Sequence, residues 1–288
     1  MDNAPKSQPA NSRYRPLIVS VLIVVSVLAA IATFGPLLMT DVANTRLIRL
    51  WTNFLGEFDG NKAMAMTVGD VRQDILAGAN KNARDEEGRT ALIVAAMSNN
   101  AGVASYLLSI GADKEIKEKD GVTALMWAAN RGSPNVAKLL LDAGADPNSA
   151  GPNGETALMF ASWNDQSDIV ELLLIAGANK DAKDKGGETA LFEAAEMNAV
   201  HAIELLIAAG ADKDARDNDG WTPLIDAADS GRDEAVKTLL AAGANKNARD
   251  NKGHTALYYA EHAEEDSVQS TAAKAATIAV LKKSGAEE

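Results

Sequence analysis

The chain contains no cysteine. Disulfide scaffolds, thiolate metal sites and cysteine nucleophiles are therefore excluded. A chain without thiols suits an oxidising or a reducing compartment equally. Aromatic residues make up only 5% of the 288 positions, and proline occurs eight times. Positive charge is also scarce: 28 Lys and Arg stand against 40 Asp and Glu, a formal charge of −12. A general nucleic-acid binder needs a basic footprint to displace counterions, so no nucleic-acid partner is expected. No His-Glu-x-x-His, P-loop, Gly-x-Ser-x-Gly or dinucleotide fingerprint occurs. The chain is accordingly read as non-enzymatic, with no cofactor, no metal and no small-molecule substrate.

What the chain has in abundance is alanine, 54 residues of it. Alanine has the best helix propensity and lets backbones approach, which suits repetitive, closely packed helices. The 47% hydrophobic content is ordinary for a folded chain.

Charge divides the chain into two unlike parts. Residues 1–62 hold six basic and four acidic residues, a balance of +2, which leaves −14 on the other 226. No charged residue lies between Leu17 and Thr40. The 22 apolar-rich residues Leu17–Leu38 reach roughly 33 Å as a helix, enough for a bilayer core of about 30 Å. Residues 1–16 then form a basic tail and 17–39 a transmembrane signal anchor, with the membrane met through Leu17–Met39. Its rival is a cleavable signal peptide, with Ala30-Ile31-Ala32 as the A-x-A site and release after Ala32. Lys6, Arg13 and Arg15 precede the span, whereas Arg46 and Arg49 follow it. That bias favours a cytoplasmic N-terminus and an exported (periplasmic or extracytoplasmic) C-terminal domain. The reversed topology, a cytosol-facing scaffold, is the other alternative. Within the juxtamembrane segment 40–62, Leu47, Leu50, Trp51, Phe54, Leu55 and Phe58 recur at spacings of three and four. They form either an amphipathic helix at the headgroup level or a cap over the first repeat.

Residues 63–288 repeat. Thr90, Thr123, Thr156, Thr189, Thr222 and Thr255 are 33 residues apart, and two glycine series starting at Gly78 and Gly88 keep the same step. In each unit a polar turn ends in Gly. Thr follows two residues later as an N-cap, and a short Ala-rich helix begins. Pro223 stands at the first helical position of one unit. After a polar break a second helix carries Leu107, Leu140, Leu173, Leu206 or Leu239, and a Gly closes it. A helix pair this short cannot bury its own apolar side, so stacked units are expected to form an all-α solenoid.

These residues resemble the ankyrin repeat. The Asp-x-x-Gly-x-Thr turn, the Thr-Ala/Pro-Leu-x-x-Ala-Ala helix and the Leu-Leu-x-x-Gly-Ala-Asp/Asn end match it from about Val68 to Leu281. The resemblance implies six repeats after a degenerate N-terminal half repeat in which Val71–Ala77 is similar to a second helix. Where the family usually has His after Thr-Pro-Leu, this chain has Ile93, Met126, Met159, Phe192, Ile225 and Tyr258, so apolar packing is expected to replace the hydrogen bonds. The stretch His262–Ala273 interrupts the last repeat.

The resemblance further implies a protein-binding scaffold that meets its partner on the concave face and turn tips. Residues before the motif Thr include Arg89, Glu155, Glu188, Trp221 and His254; those past the Ala-Ala pair include Asn130, Arg131, Trp163, Met197 and Asp229. Trp163 and Trp221 are the expected anchors, because Trp is enriched at interface hot spots; packing against a neighbouring turn is the competing role. Trp127 and Phe160 are read as core. A metal-dependent hydrolase or metal sensor around His254 and His262, with Glu261, Glu264, Glu265 and Asp266 nearby, is a reading from another class. The acidic turn Asp214–Asp219 lacks the spaced ligands of a calcium loop.

Overall fold

The computed structural model describes residues 67–262 and 271–287. The expected tail, transmembrane segment and juxtamembrane segment of residues 1–62 lie outside the described residues. Among the described residues no helix is long and apolar enough to cross a membrane. The chain divides into two units, residues 1–83 and 84–288.

The first unit contains helix α1 (Val68–Leu76). Thr67 and Asp70 cap it reciprocally. The Thr67 hydroxyl accepts from the Asp70 amide at 3.2 Å, and the Asp70 carboxylate accepts from the Thr67 amide at 3.0 Å. This capping box starts the helix three residues before Val71, where the apolar pattern begins.

Among its described residues the second unit is built of helix pairs, one pair for each of six repeats. Repeats one to three comprise α2 (Ala91–Met97) with α3 (Ala101–Ser109), α4 (Ala124–Arg131) with α5 (Pro134–Asp142), and α6 (Ala157–Trp163) with α7 (Ser167–Ile175). Repeats four to six comprise α8 (Ala190–Glu196) with α9 (Val200–Ala208), α10 (Pro223–Asp229) with α11 (Asp233–Ala241), and α12 (Ala256–His262) with α13 (Thr271–Lys283). First helices stack on first helices and second on second. Among the described residues there is no strand, only isolated bridges at Arg84–Thr90 and Ala150–Thr156.

The threonines start the first helices as expected. Their hydroxyls accept from the amides of Ile93, Met126, Met159, Ile225 and Tyr258 at 3.3–3.4 Å. Thr189 makes no such bond. Ile93, Met126, Met159, Phe192 and Ile225 are buried, as expected of apolar residues at the family's His position, whereas Tyr258 is half-buried. The two methionines do more than fill space. Their sulfurs lie 3.5 and 3.4 Å from the Thr123 and Thr156 amides, so a thioether completes a capping box there. Leu107, Leu140, Leu173, Leu206 and Leu239 are fully buried between the two helix layers.

A further series at the 33-residue step joins the two helices of each repeat. Asn99, Gly132, Asp165, Asn198 and Gly231 all have left-handed φ, between 49° and 64°. Asn, Asp and Gly are the residues that enter this region at least cost. Two of them also cap the next repeat. Asp165 accepts from the Ala202 amide at 3.0 Å, and Asn198 from the Ala235 amide at 2.8 Å. Helices α9 and α11 have no side-chain cap of their own.

Turns are linked the same way. The amides of Lys119, Lys185, Asn218 and Asn251 donate to the carbonyls of Glu87, Asn153, Gly186 and Asp219, each 32 residues earlier. Position 152 should supply the missing rung, to Asp120. Pro152 has no N–H, so the ladder skips from repeat two to repeat three. Within the turns, Asp85, Asp184, Asp217 and Asp250 accept amides of their own loop at 2.7–2.9 Å. In repeat three Gly151 replaces that Asp, and Glu155 accepts the Asn153 amide instead, at 3.1 Å. Gly154 shows why the turn glycine recurs: its φ is 95°, and a Cβ there would stand 2.8 Å from the Asp184 backbone.

Helix α13 closes the array. It packs on α11 and α12, buries Leu281, and Lys282 pairs with Glu261 at 2.7 Å. The interrupting residues 263–270 lie outside the described residues.

Candidate functional site

Burial defines which side of the first helices is open. The first, second, third, fifth and sixth residues after the capping Thr are buried in repeats one to five. The fourth and seventh residues, one turn apart, lie on the remaining face together with the residue before Thr. This face is therefore three rows of side chains running along the repeats.

The row before Thr reads Arg89, Val122, Glu155, Glu188, Trp221 and His254, all half-buried. The fourth-residue row reads Val94, Trp127, Phe160, Glu193, Asp226 and Tyr259; Val94 is buried and the others are half-buried. The seventh-residue row reads Met97, Asn130, Trp163, Glu196, Asp229 and His262, half-buried except for exposed Trp163 and His262. Trp127 and Phe160, expected in the core, lie instead along the open face. The fourth-residue position projects there whatever occupies it.

The expected anchors sit in different settings. Trp163 ends α6 with 37% of its surface exposed. Trp221 packs one side against Tyr259, with ring centroids 4.5 Å apart, while its amide donates to Asp217. Arg89 is tied to Asp85 by an ion pair of 2.7 Å that helps close its own turn. Arg131 is exposed and lies over the Trp127 ring at 5.3 Å, and the Trp127 indole donates to buried Glu118 at 2.7 Å. Burial raises the Glu118 carboxyl above its ordinary pKa, and the indole bond opposes that shift. Met197, past the end of α8, is exposed at 39%.

His254 is half-buried. It stacks on Tyr258 at 3.8 Å, and His262 stacks on the same ring at 4.2 Å. The two imidazoles thus share a tyrosine. Among the described residues, no group of three or more His, Asp and Glu is arranged to hold a metal ion; Glu264, Glu265 and Asp266 lie outside them.

The electrostatic character changes along the face. In repeats four and five the two helical rows carry Glu193, Glu196, Asp226 and Asp229. Burial and the charges of Glu188, Glu196, Asp184 and Glu155 push the Glu193 carboxyl up to about 8. Burial, then Glu196, Glu188, Asp229 and Glu193, hold Asp226 well above the carboxylate range. Glu188 is raised by burial and by Asp184, Asp217 and Glu196. Asp229 is raised by burial, and Lys274 partly offsets this. Of these acids, the motif positions singled out Glu188 and Asp229 but missed Glu193, Glu196 and Asp226. The signal that finds them is the same 33-residue step, applied four and seven residues after Thr.

Comparison with known families fits this geometry. The family model described as ankyrin repeats (3 copies) matches residues 63–151, 110–184, 158–250 and 218–270. Together these matches run over most of the chain, which belongs to the ankyrin-repeat family. Repeats of this family are protein-interaction modules and are generally non-catalytic. No curated protein matches the chain.

Proposed function

We propose that this protein is a membrane-anchored, non-enzymatic scaffold whose ankyrin repeats bind a protein partner through the open face of the first helices and the turn tips. The observation that carries the reading is the three-row face itself. It presents large side chains, Trp127, Phe160, Trp163 and Trp221, that the stacked core does not fully cover. Trp163 and Trp221 are the proposed anchors, and Arg89, Glu155, Glu188, His254, Asn130, Arg131 and Met197 the surrounding contacts. The membrane component rests on the uncharged stretch from Leu17 to Thr40, long enough to span a bilayer. The basic residues before it orient the repeats toward the exported side. Anchoring raises the effective concentration of a partner at the same membrane, so modest intrinsic affinity suffices.

Two measurements test this. Carbonate extraction of membranes is expected to leave the full-length protein in the pellet, with intact mass retaining the N-terminal segment. A mature N-terminus at Thr33 refutes the anchor in favour of a released exported binder. Affinity capture is expected to recover a partner with the wild type and to lose it with Trp163→Ala/Trp221→Ala. Equal recovery refutes the proposed face.

A further inference from the structure

The carboxylates of repeats four and five form a compact, ordered set. Glu193 and Glu196 are one turn apart on α8, and Asp226 and Asp229 hold the same two positions on α10. Glu188 stands on the turn before α8. Asp226 lies deep between its neighbours with only part of its surface open. Among the described residues its carboxylate makes no hydrogen bond and no ion pair. The charges acting most strongly on it are all negative. Lys274 approaches Asp229, on the far edge of the set. Enclosed polar groups in folded proteins are nearly always satisfied, and an enclosed carboxylate surrounded by like charge is costly. Here the crowding holds protons on Glu193 and Asp226, and a cation from outside would favour their ionised forms, which fits a site completed by a partner.

The geometry also selects the kind of cation. The acids sit on two helices and do not converge as a metal-binding group, so a point ion has no shared shell. A group with several donors in one plane is suited to carboxylates presented from two neighbouring helices. A guanidinium has five N–H donors and stacks on aromatic faces, whereas an ammonium is a compact point charge. Aromatic rings lie at two corners of the acidic set. Trp163 precedes Glu196 by one repeat in its row, and Trp221 follows Glu188 by one repeat in its own.

We propose that this part of the face seats an arginine side chain from a basic segment of the partner protein, its guanidinium over the Asp226 and Glu193 carboxylates. This rests on the protein-binding reading above and narrows it to a partner with positive charge and at least one exposed arginine. Neutralising the seat also relieves repulsion, so Asp226→Asn/Glu193→Gln folds at least as well as the wild type, and lost binding cannot be ascribed to unfolding.

The test uses full-length protein in detergent micelles and labelled peptides of alternating Gly with Arg, Lys or citrulline, followed by fluorescence anisotropy. The arginine peptide is expected to bind, the lysine peptide at least fivefold more weakly, and the uncharged citrulline peptide not at all. Asp226→Asn/Glu193→Gln is expected to weaken the arginine peptide at least tenfold, and Glu86→Gln/Glu87→Gln, on the turn of repeat one, to leave it unchanged. Equal binding of Lys and Arg peptides, an unaffected Asp226→Asn/Glu193→Gln variant, or stoichiometric displacement by calcium each overturns the arginine seat. A captured partner lost by Trp163→Ala/Trp221→Ala but retained by Asp226→Asn/Glu193→Gln leaves the scaffold reading intact and removes this one. Failure of the wild type to capture any partner removes the scaffold reading, and the peptide series then decides the seat alone.

Discussion

Repeats two and three and repeats four and five share one core and differ in what they show. Leu140 and Leu206 are both fully buried, and Met126, Met159, Phe192 and Ile225 occupy the same enclosed position after their caps. On the open face the same two helical positions hold Trp127, Asn130, Phe160 and Trp163 in the earlier pair. They hold Glu193, Glu196, Asp226 and Asp229 in the later pair. One half offers apolar area; the other offers concentrated negative charge. The difference teaches that a stacked repeat separates its tasks by helix position. Buried positions face neighbours made of the same unit and are constrained by them. The fourth and seventh positions face outward, so their chemistry is free to change from repeat to repeat.

The comparison can be broken most severely at the core. Leu140→Ala and Leu206→Ala are each expected to cost about 2–5 kcal/mol, by cavity formation in a close-packed interior. If the halves differ only on the open face, denaturant unfolding will give losses within about 1 kcal/mol of each other.

The next effect is electrostatic and belongs to the later half. The Glu193 carboxyl is raised to about 8 in the fold, from an ordinary value of 4.5. Its folded form holds its proton more tightly than the unfolded chain does. Its stabilisation is fully present below about pH 4.5 and is lost as pH rises through about 8. Asp226 acts in the same direction. The groups facing them are Glu188, Glu196, Asp184, Glu155 and Asp229, with Lys274 opposing at Asp229. Thermal melts of the wild type should therefore weaken from pH 5 to pH 9. Asp226→Asn/Glu193→Gln should flatten that decline and add on the order of 1 kcal/mol at pH 9, roughly 2–4 °C. Phe160→Leu, at the equivalent position of repeat three, should leave the slope unchanged.

A smaller contrast lies in the caps. Thr123→Ala removes a hydroxyl bonded to the Met126 amide and should cost about 1 kcal/mol. Thr189 makes no side-chain cap bond, so Thr189→Ala should cost clearly less in the same assay. Smallest of all is Pro152→Ala. A regained ladder bond and a more flexible unfolded chain oppose each other, each worth about 1 kcal/mol or less. Little net change in stability is expected, but hydrogen exchange should show the new amide at position 152 protected by the Asp120 carbonyl.

Much of this was legible in the residue order. Six threonines and two glycine series at one step were enough to place the helix pairs, the caps and the closing glycines. Thr, Gly and Pro act on backbone angles and hydrogen bonds within a few residues. The left-handed series Asn99, Gly132, Asp165, Asn198 and Gly231 was harder to see, because three residue types share one conformational role. The open face was legible only in part. Trp163 and Trp221 stood out by type, but Trp127 and Phe160 looked like core because they are apolar and lie inside the helix motif. Glu193 and Asp226 drew no notice as single acids in an acidic chain.

By itself the sequence determined the family, the repeat count, the helix starts and the fully buried leucines, since each depends on local backbone preference or on a simple apolar period. Only the tertiary structure decided which acids stand together, that Asp165 and Asn198 cap the helices of the next repeat, and that Pro152 interrupts the turn ladder. These depend on contacts between residues about 30 positions or more apart, which stacking brings together and local preference does not specify.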